Sequence, residues 1–288
     1  MRTLDQPAWR ALAAAHADRV RPWVADRLAR RSAGRPHAVW DFLFDYYPYS
    51  PGRLATWHPG HGVVLAGPAA TTYLSERGYV AVDGGVTADP AAASPQRLRL
   101  AIAILGRTRD RAPMTGCFGL HEWAMTYGQA PAEVRHTYVP LRLEPAQIAE
   151  TVDAIGLRCT HVDAYRFFTP EALPLNEHRP TRSTQPDDEQ PGCLHASMDL
   201  YKYASWFAPL VGSDLVTDCF ENAAAARELD MRASPYDVSS YGLEAVRVET
   251  AEGRREYVEL QRAVIERTAP LRDRLLARLR DVQDVFSS

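Results

Sequence analysis

Cysteine is scarce and scattered in this sequence. Cys117, Cys159, Cys193 and Cys219 are the only four in 288 residues, and none forms a C-x-x-C pair. That spacing excludes a zinc ribbon or a thioredoxin-type motif. Combined with a charged, amphipathic N-terminal stretch that lacks a signal-like apolar core and cleavage site, it leads us to expect a reduced, cytoplasmic setting. No run of about 18 apolar residues occurs, so no membrane span is expected. Neither sign of charge dominates: 33 basic residues face 36 acidic ones, a net charge of −3. Nucleic-acid binders usually show a basic excess, so nucleic acid is not an expected partner. Lysine is rare beside arginine, and there is no internal repeat or low-complexity tract.

What is present is an ordinary globular mix, 46% hydrophobic and 24% charged. The length suits one large domain, and residues 1–288 are read as one. The class is α+β, predominantly α-helical with a small β-sheet. Residues 7–31 carry Trp9, Leu12, Ala13, His16 and Val20 at helical spacing. They form an N-terminal helix within residues 1–35, with a kink or restart expected at Pro22. Residues 37–47 read as an aromatic helix. The proline- and glycine-rich run to Gly62 breaks regular structure, and "VVLAG" reads as a strand. Helices are expected over 95–111, 119–128, 145–154, 194–209 and 213–232. A last helix over 254–285 packs on the same core, with a break at Pro270. "TYVPLRL", "CTHVDAYRFF" and "EAVRVET" read as strands. Residues 170–193 hold five prolines in a long irregular segment, a feature uncommon in compact domains and often functional.

Three segments combine histidine with acid. In "CTHVDAYRFF", alternation along a strand places His161 and Asp163 on one face with Cys159, Tyr165 and Phe167. Both faces carry apolar groups, so the pair is expected to be buried, where polar groups must find partners. In "LHASMDLYKYASW", His195, Asp199, Lys202 and Trp206 form one helical stripe, beside an apolar stripe of Leu194, Met198 and Tyr201. A histidine and an aspartate one turn apart can hold a metal or simply bond to each other. In "GLHEWAMTY", His121 and Glu122 diverge by roughly 100°, so one of them is expected to face any given site. The helix from Ser213 carries Asp214, Asp218, Glu221 and Glu228 on one face. Such a face is ordinarily solvated, unless Glu221 and Glu228, two turns apart, address a cavity. Asp230, between Arg227 and Arg232, reads as an ion pair, and His58 and His61 in "WHPGHG" are weakly specific.

Taken jointly, the three histidines favour one shared site. His121, His161, His195, Asp199 and Glu221 are the candidate metal ligands. Asp163, Lys202 and Glu122 are the candidate catalytic groups, and Trp123, Tyr127, Tyr165 and Tyr201 are the residues expected around a flat substrate. Mixed histidine and carboxylate donors suit a divalent transition metal, iron first, with copper, zinc or manganese compatible. Lys202 and Arg166 are candidates for binding a substrate carboxylate.

The segments "DFLFDYY", "CFGLHEWAM", "THVDAYRFFTPEALPLN", "PTRSTQPDDEQPGCLHASMDLYKYA" and "DCFENAAAARELDMRASPYD" together resemble an actinobacterial family commonly labelled 3-methyladenine DNA glycosylase. The resemblance covers most of the chain, about residues 9–271. It implies DNA binding and cleavage of an N-glycosidic bond, with Asp163 or Asp199 activating water and Trp123 and Tyr165 stacking the base. The residues themselves carry neither the glycine hairpin of a helix-hairpin-helix glycosylase nor periodic helix pairs, and the arginines are spread among acids. The stronger signal is histidine with acid. The expected function is therefore a metal-dependent enzyme acting on a small, aromatic molecule, oxidative chemistry ahead of metal-assisted hydrolysis. The alternatives are a DNA glycosylase removing alkylated bases and a non-catalytic binding protein that forms a homodimer through its C-terminal helix.

Overall fold

The computed structural model describes residues 1–134 and 136–286. Helix α1 (Gln6–Ser32) begins where Asp5 accepts a hydrogen bond from the Ala8 amide at 2.9 Å, with a proline in its first turn. Arg30 and Arg31 close it, near carbonyls that favour positive charge. It runs through Pro22 without interruption and buries Trp9, His16 and Val20.

The sheet is small and mixed. Strands β1 (Arg2–Leu4), β2 (Val63–Leu65), β3 (Tyr79–Val82) and β4 (Gly85–Ala88) lie in the order β1-β2-β4-β3. β1 is parallel to β2, and the other pairs are antiparallel. Only β2 coincides with an expected strand, "VVLAG". β3 and β4 are joined through Asp83-Gly84, with Gly84 at φ 83°, the turn chemistry that closes two-residue hairpins.

The other three expected strands do not form. "TYVPLRL" keeps one isolated bridge, Leu141 to Tyr236. "EAVRVET" buries Val246 and Val248 outside any strand. The segment 159–168 turns into a helical turn, Val162–Tyr165. Its backbone explains why: the Asn176 amide accepts from Cys159 N at 2.8 Å and donates to Cys159 O at 2.9 Å. One side chain thus satisfies the groups that a neighbouring strand would have paired. Residues 37–47 likewise give one turn, Phe42–Asp45, rather than a full helix.

Five further helices build the body: α2 (Pro95–Arg109), α3 (Pro145–Ile155), α4 (Leu194–Trp206), α5 (Ser213–Arg232) and α6 (Ala251–Val285). α4 is the central one, since only Lys202 and Trp206 along it escape full burial. A helix enclosed on all sides must pack in every direction, and α4 packs most extensively on α5. The small residues Ala223, Ala224 and Ala226 of α5 are buried and permit close approach. α6 continues through Pro270 and lies against α2, α4 and α5. One contiguous hydrophobic core draws residues from Leu4 to Val282. No described helix is long and apolar enough to cross a membrane.

Candidate metal centre

His121 opens a single helical turn, His121–Ala124. The chain enters it through two consecutive left-handed residues, Phe118 at φ 46° and Gly119 at φ 71°. Phe118 is the one non-glycine residue with positive φ among the described residues. Such a conformation costs about 1–2 kcal/mol and persists only where the surroundings dictate it. Here the turn is clamped to the end of α5: Trp123 Nε1 donates to Ala233 O at 2.8 Å.

This clamp sets His121 against α5. His121 Nε2 lies 2.5 Å from Asp230 Oδ1. The other oxygen, Oδ2, accepts from Arg227 Nη1 at 2.5 Å, and the same nitrogen donates to Glu122 Oε1 at 2.6 Å. His195, from the first turn of α4, meets His121 edge-on with ring centroids 4.4 Å apart. One donor atom each from His121, His195 and Asp230 fall within 4.8 Å of one another.

A second triad lies on the other side of His195. His161 stands 5.2 Å from His195 between ring centroids, so the three imidazoles form a row with His195 in the middle. His161 Nε2 is 3.3 Å from Asp199 Oδ2 and 3.4 Å from Glu189 Oε1. Tyr47 donates to Asp199 Oδ1 at 3.2 Å, and Gln185 donates to Glu189 at 2.5 Å. The Lys202 ammonium pairs with Asp199 Oδ2 and lies 3.4 Å from Asp163 Oδ2, while Arg182 also pairs with Asp163.

All six residues of the two triads are buried. Nδ1 of His161 and Nδ1 of His195 have no hydrogen-bond partner among the described residues, and Nε2 of His161 has only its ion-pair contacts with Asp199 and Glu189. Leaving such a group unsatisfied costs about 1–3 kcal/mol. The electrostatics divide by neighbour. Burial disfavours charge on His121, but the Asp230 carboxylate outweighs it and raises the pKa. Burial, reinforced by His121, pushes His195 well below the ordinary histidine value. Burial alone would raise both Asp230 and Asp199. His121 with Arg227 holds the first below the usual carboxylate range, and Lys202 with His161 does the same for the second. Burial raises Glu189. It would lower Lys202, but Asp199, Glu189 and Asp163 reverse the shift and keep the ammonium charged.

Three openings approach this row, one of them a cleft of about 510 Å³ between Arg97, Leu100, Tyr203 and Trp206 that reaches Arg182, Gln185 and Lys202. A polar cleft of about 450 Å³, lined by His37, Phe42, Tyr46 and Tyr138, ends on Asp163, Arg182 and Lys202. A narrower crevice, lined by Leu120, Cys159, Phe168, Cys193 and Tyr257, ends on His121.

The structure brings His121, His161 and His195 together and splits the α4 pair: His195 serves one triad and Asp199 the other. Asp163 and Lys202 adjoin the second triad, and Glu122 supports the first through Arg227. Glu221 stands apart. It lies on the acidic outer face of α5 and takes a bidentate contact from Arg19 at 3.0 and 2.6 Å, so it is a surface ion-pair partner and not a ligand. The four aromatic candidates also turn elsewhere. Trp123 and Tyr201 are buried in the core, Tyr127 bonds Asp153 at 2.9 Å, and Tyr165 packs on Phe168. None lines any of the three openings. His58 bonds Tyr79 at 2.9 Å, away from the triads.

Sequence reasoning missed two triad members. Asp230 does form the expected ion pair with Arg227, and its second oxygen faces His121. Glu189 sits in the proline-rich segment 170–193, whose irregular length was the one signal pointing to it. No protein-family model, no curated protein and no solved structure matches this chain.

Proposed function

We propose that the protein is a metal-dependent enzyme with a buried histidine–carboxylate centre, iron being the first-choice metal, and that it carries out oxidative chemistry on a small aromatic molecule. The observation that supports this reading most strongly is the row of three buried imidazoles flanked by carboxylates, with Nδ1 of the central one, His195, left without a hydrogen-bond partner. A purely structural histidine in the core finds a partner for its nitrogens. A ligand histidine keeps a lone pair free for the ion.

His121, His195 and Asp230 make a set of two histidines and one carboxylate, which suits ferrous iron with coordination positions left open for dioxygen activation. The chain's own groups prepare that set. Arg227 orients Asp230 and is itself held by Glu122, the kind of support that fixes ligand geometry. Burial keeps His195 neutral and able to donate its lone pair. The cleft walls Phe42, Tyr46 and Tyr138 offer flat apolar faces to an aromatic ring at the Asp163 and Lys202 end of the histidine row, one triad away from this set. Arg166 and Arg182 beside them, both paired with Asp163, keep about half of their side chains exposed toward an acidic substituent. Oxidation ranks ahead of hydrolysis because this donor set is the one used with open iron positions.

The test is anaerobic loading of the metal-stripped protein with ferrous ion, followed by gel filtration and metal analysis. The wild type is expected to retain iron, and His195→Ala and Asp230→Asn to lose at least tenfold in affinity while remaining folded. A wild type that retains none of iron, manganese, cobalt, zinc or copper, or variants that bind as well as wild type, refutes the reading. Release of free 3-methyladenine from alkylated DNA, abolished by Asp163→Asn, would favour the glycosylase alternative instead.

A further inference from the structure

We infer that the two triads are not equivalent: the Lys202 ammonium serves as a built-in cation at His161, Glu189 and Asp199, so the chain loads a single metal ion, at His121, His195 and Asp230. The inference rests on the reading above that a buried triad of this protein holds metal, and it adds which triad and how many ions.

Three observations carry it. The first is which carboxylate oxygen each cation occupies. Around Asp230, Arg227 takes Oδ2, and the only side chain on Oδ1 is His121, itself a ligand of the same triad, at 2.5 Å. Around Asp199, Lys202 takes Oδ2, the same oxygen that faces His161 at 3.3 Å, while Tyr47 takes Oδ1. The arginine therefore stands behind its triad, and the lysine stands within its own.

The second is the balance of charge. Near the first triad, the carboxylates of Asp230 and Glu122 share one permanent cation, Arg227, and the other partner of Asp230 is His121, whose proton a metal ion displaces. Near the second, Asp199 and Asp163 are met by Lys202 and Arg182, with Arg166 Nε 3.5 Å from Asp163, so three cations stand beside the three carboxylates Asp199, Asp163 and Glu189, and Glu189 itself contacts His161. A divalent ion at the first triad fills a deficit of positive charge. At the second it adds to carboxylates already neutralised, in a site where burial makes excess charge costly.

The third is the choice of residue. Of the 33 basic residues in this chain, 32 are arginine, and Lys202 is the only lysine. Its side chain is 12% exposed. A guanidinium is broad and planar, whereas an ammonium is a compact point charge with three donors. The one position where the chain departs from arginine is the one where the cation sits between Asp199 and Asp163, on the Asp199 oxygen that also faces His161.

The test is metal stoichiometry. Wild type, Lys202→Met, Lys202→Arg and the double variant Lys202→Met with Asp230→Asn are each loaded with cobalt(II), freed of excess metal and measured by mass spectrometry. The expected values are one ion per chain in wild type and Lys202→Arg, two in Lys202→Met, and one in the double variant. Two ions in wild type, or one in a folded Lys202→Met, overturns the inference and leaves the proposed function standing. No ion in wild type overturns the metal reading itself, and the inference with it. If the lysine variants do not fold, the wild type still decides. A cobalt anomalous peak at His161, Glu189 and Asp199 overturns the inference, and a sole peak at His121, His195 and Asp230 upholds it.

Discussion

Replacing Arg227 with methionine keeps most of the side-chain length and removes its charge. Arg227 is 1% exposed and lies 2.6 Å from Glu122 Oε1 and 2.5 Å from Asp230 Oδ2. Without it, two buried carboxylates face each other with no cation between them. Removing one partner of a buried ion pair costs about 3–5 kcal/mol, against a total stability on the order of 5–15 kcal/mol for a folded domain. Unfolding entropy of roughly 2.1 cal/mol/K per residue amounts to about 0.6 kcal/mol/K for this chain, so the melting temperature should fall by about 5–8 °C. Differential scanning calorimetry of the metal-free protein reads this directly. Adding Glu122→Gln removes one of the two stranded charges and should recover about half of the loss. A divalent ion at about 100 times its Kd should return roughly 2.7 kcal/mol by binding only the folded state. A drop below about 2 °C, or a double variant no more stable than the single, would refute the argument that Arg227 holds this charge network together.

Burial lowers the His58 pKa to about 4. Between pH 6.5 and 4 the unfolded chain takes up a proton that the folded chain refuses, so stability is full above pH 6.5 and falls by up to roughly 3 kcal/mol through that window. His58→Gln should flatten this part of the acid limb in urea titrations at stepped pH, and an unchanged limb contradicts the assignment. Asn176→Ala strips both backbone groups of Cys159 of their partners and should cost about 1–3 kcal/mol; a loss within experimental error in chemical denaturation would mean that another group replaces the amide. Glu221→Ala should change stability by less than about 1 kcal/mol, as surface ion pairs do, and leave metal stoichiometry untouched. A loss of bound metal in that variant would return Glu221 to the ligand set.

The fold was legible where periodicity runs long. α5 and α2 lie where helical spacing puts them, because a 3.6-residue pattern over four or more turns has few competing explanations. The short apolar runs were not legible. In 159–168 the alternation of side chains suits a strand, yet the deciding contact comes from Asn176, a residue 17 positions away whose side chain substitutes for a strand. The same limit governed the site. His121, His161 and His195 announce themselves by chemistry wherever the chain puts them. The carboxylates that join them depend on which way a helix turns: the acidic face of α5 that carries Glu221 points to Arg19, and Asp230, two and a half turns on, points inward. Aromatic neighbours in sequence were poor guides to a substrate wall for the same reason, since successive residues on a helix diverge by about 100°. The walls of the cleft come from Phe42, Tyr46 and Tyr138, outside the three segments that carry His121, His161 and His195.

The most direct test is the position of bound iron. Crystals grown anaerobically with ferrous ion, measured at the iron absorption edge, should show one anomalous peak about 2.0–2.2 Å from donor atoms of His121, His195 and Asp230, the distance range for nitrogen and oxygen ligands of such an ion. A map with no peak among the three buried histidines would contradict the metal centre on which the account rests.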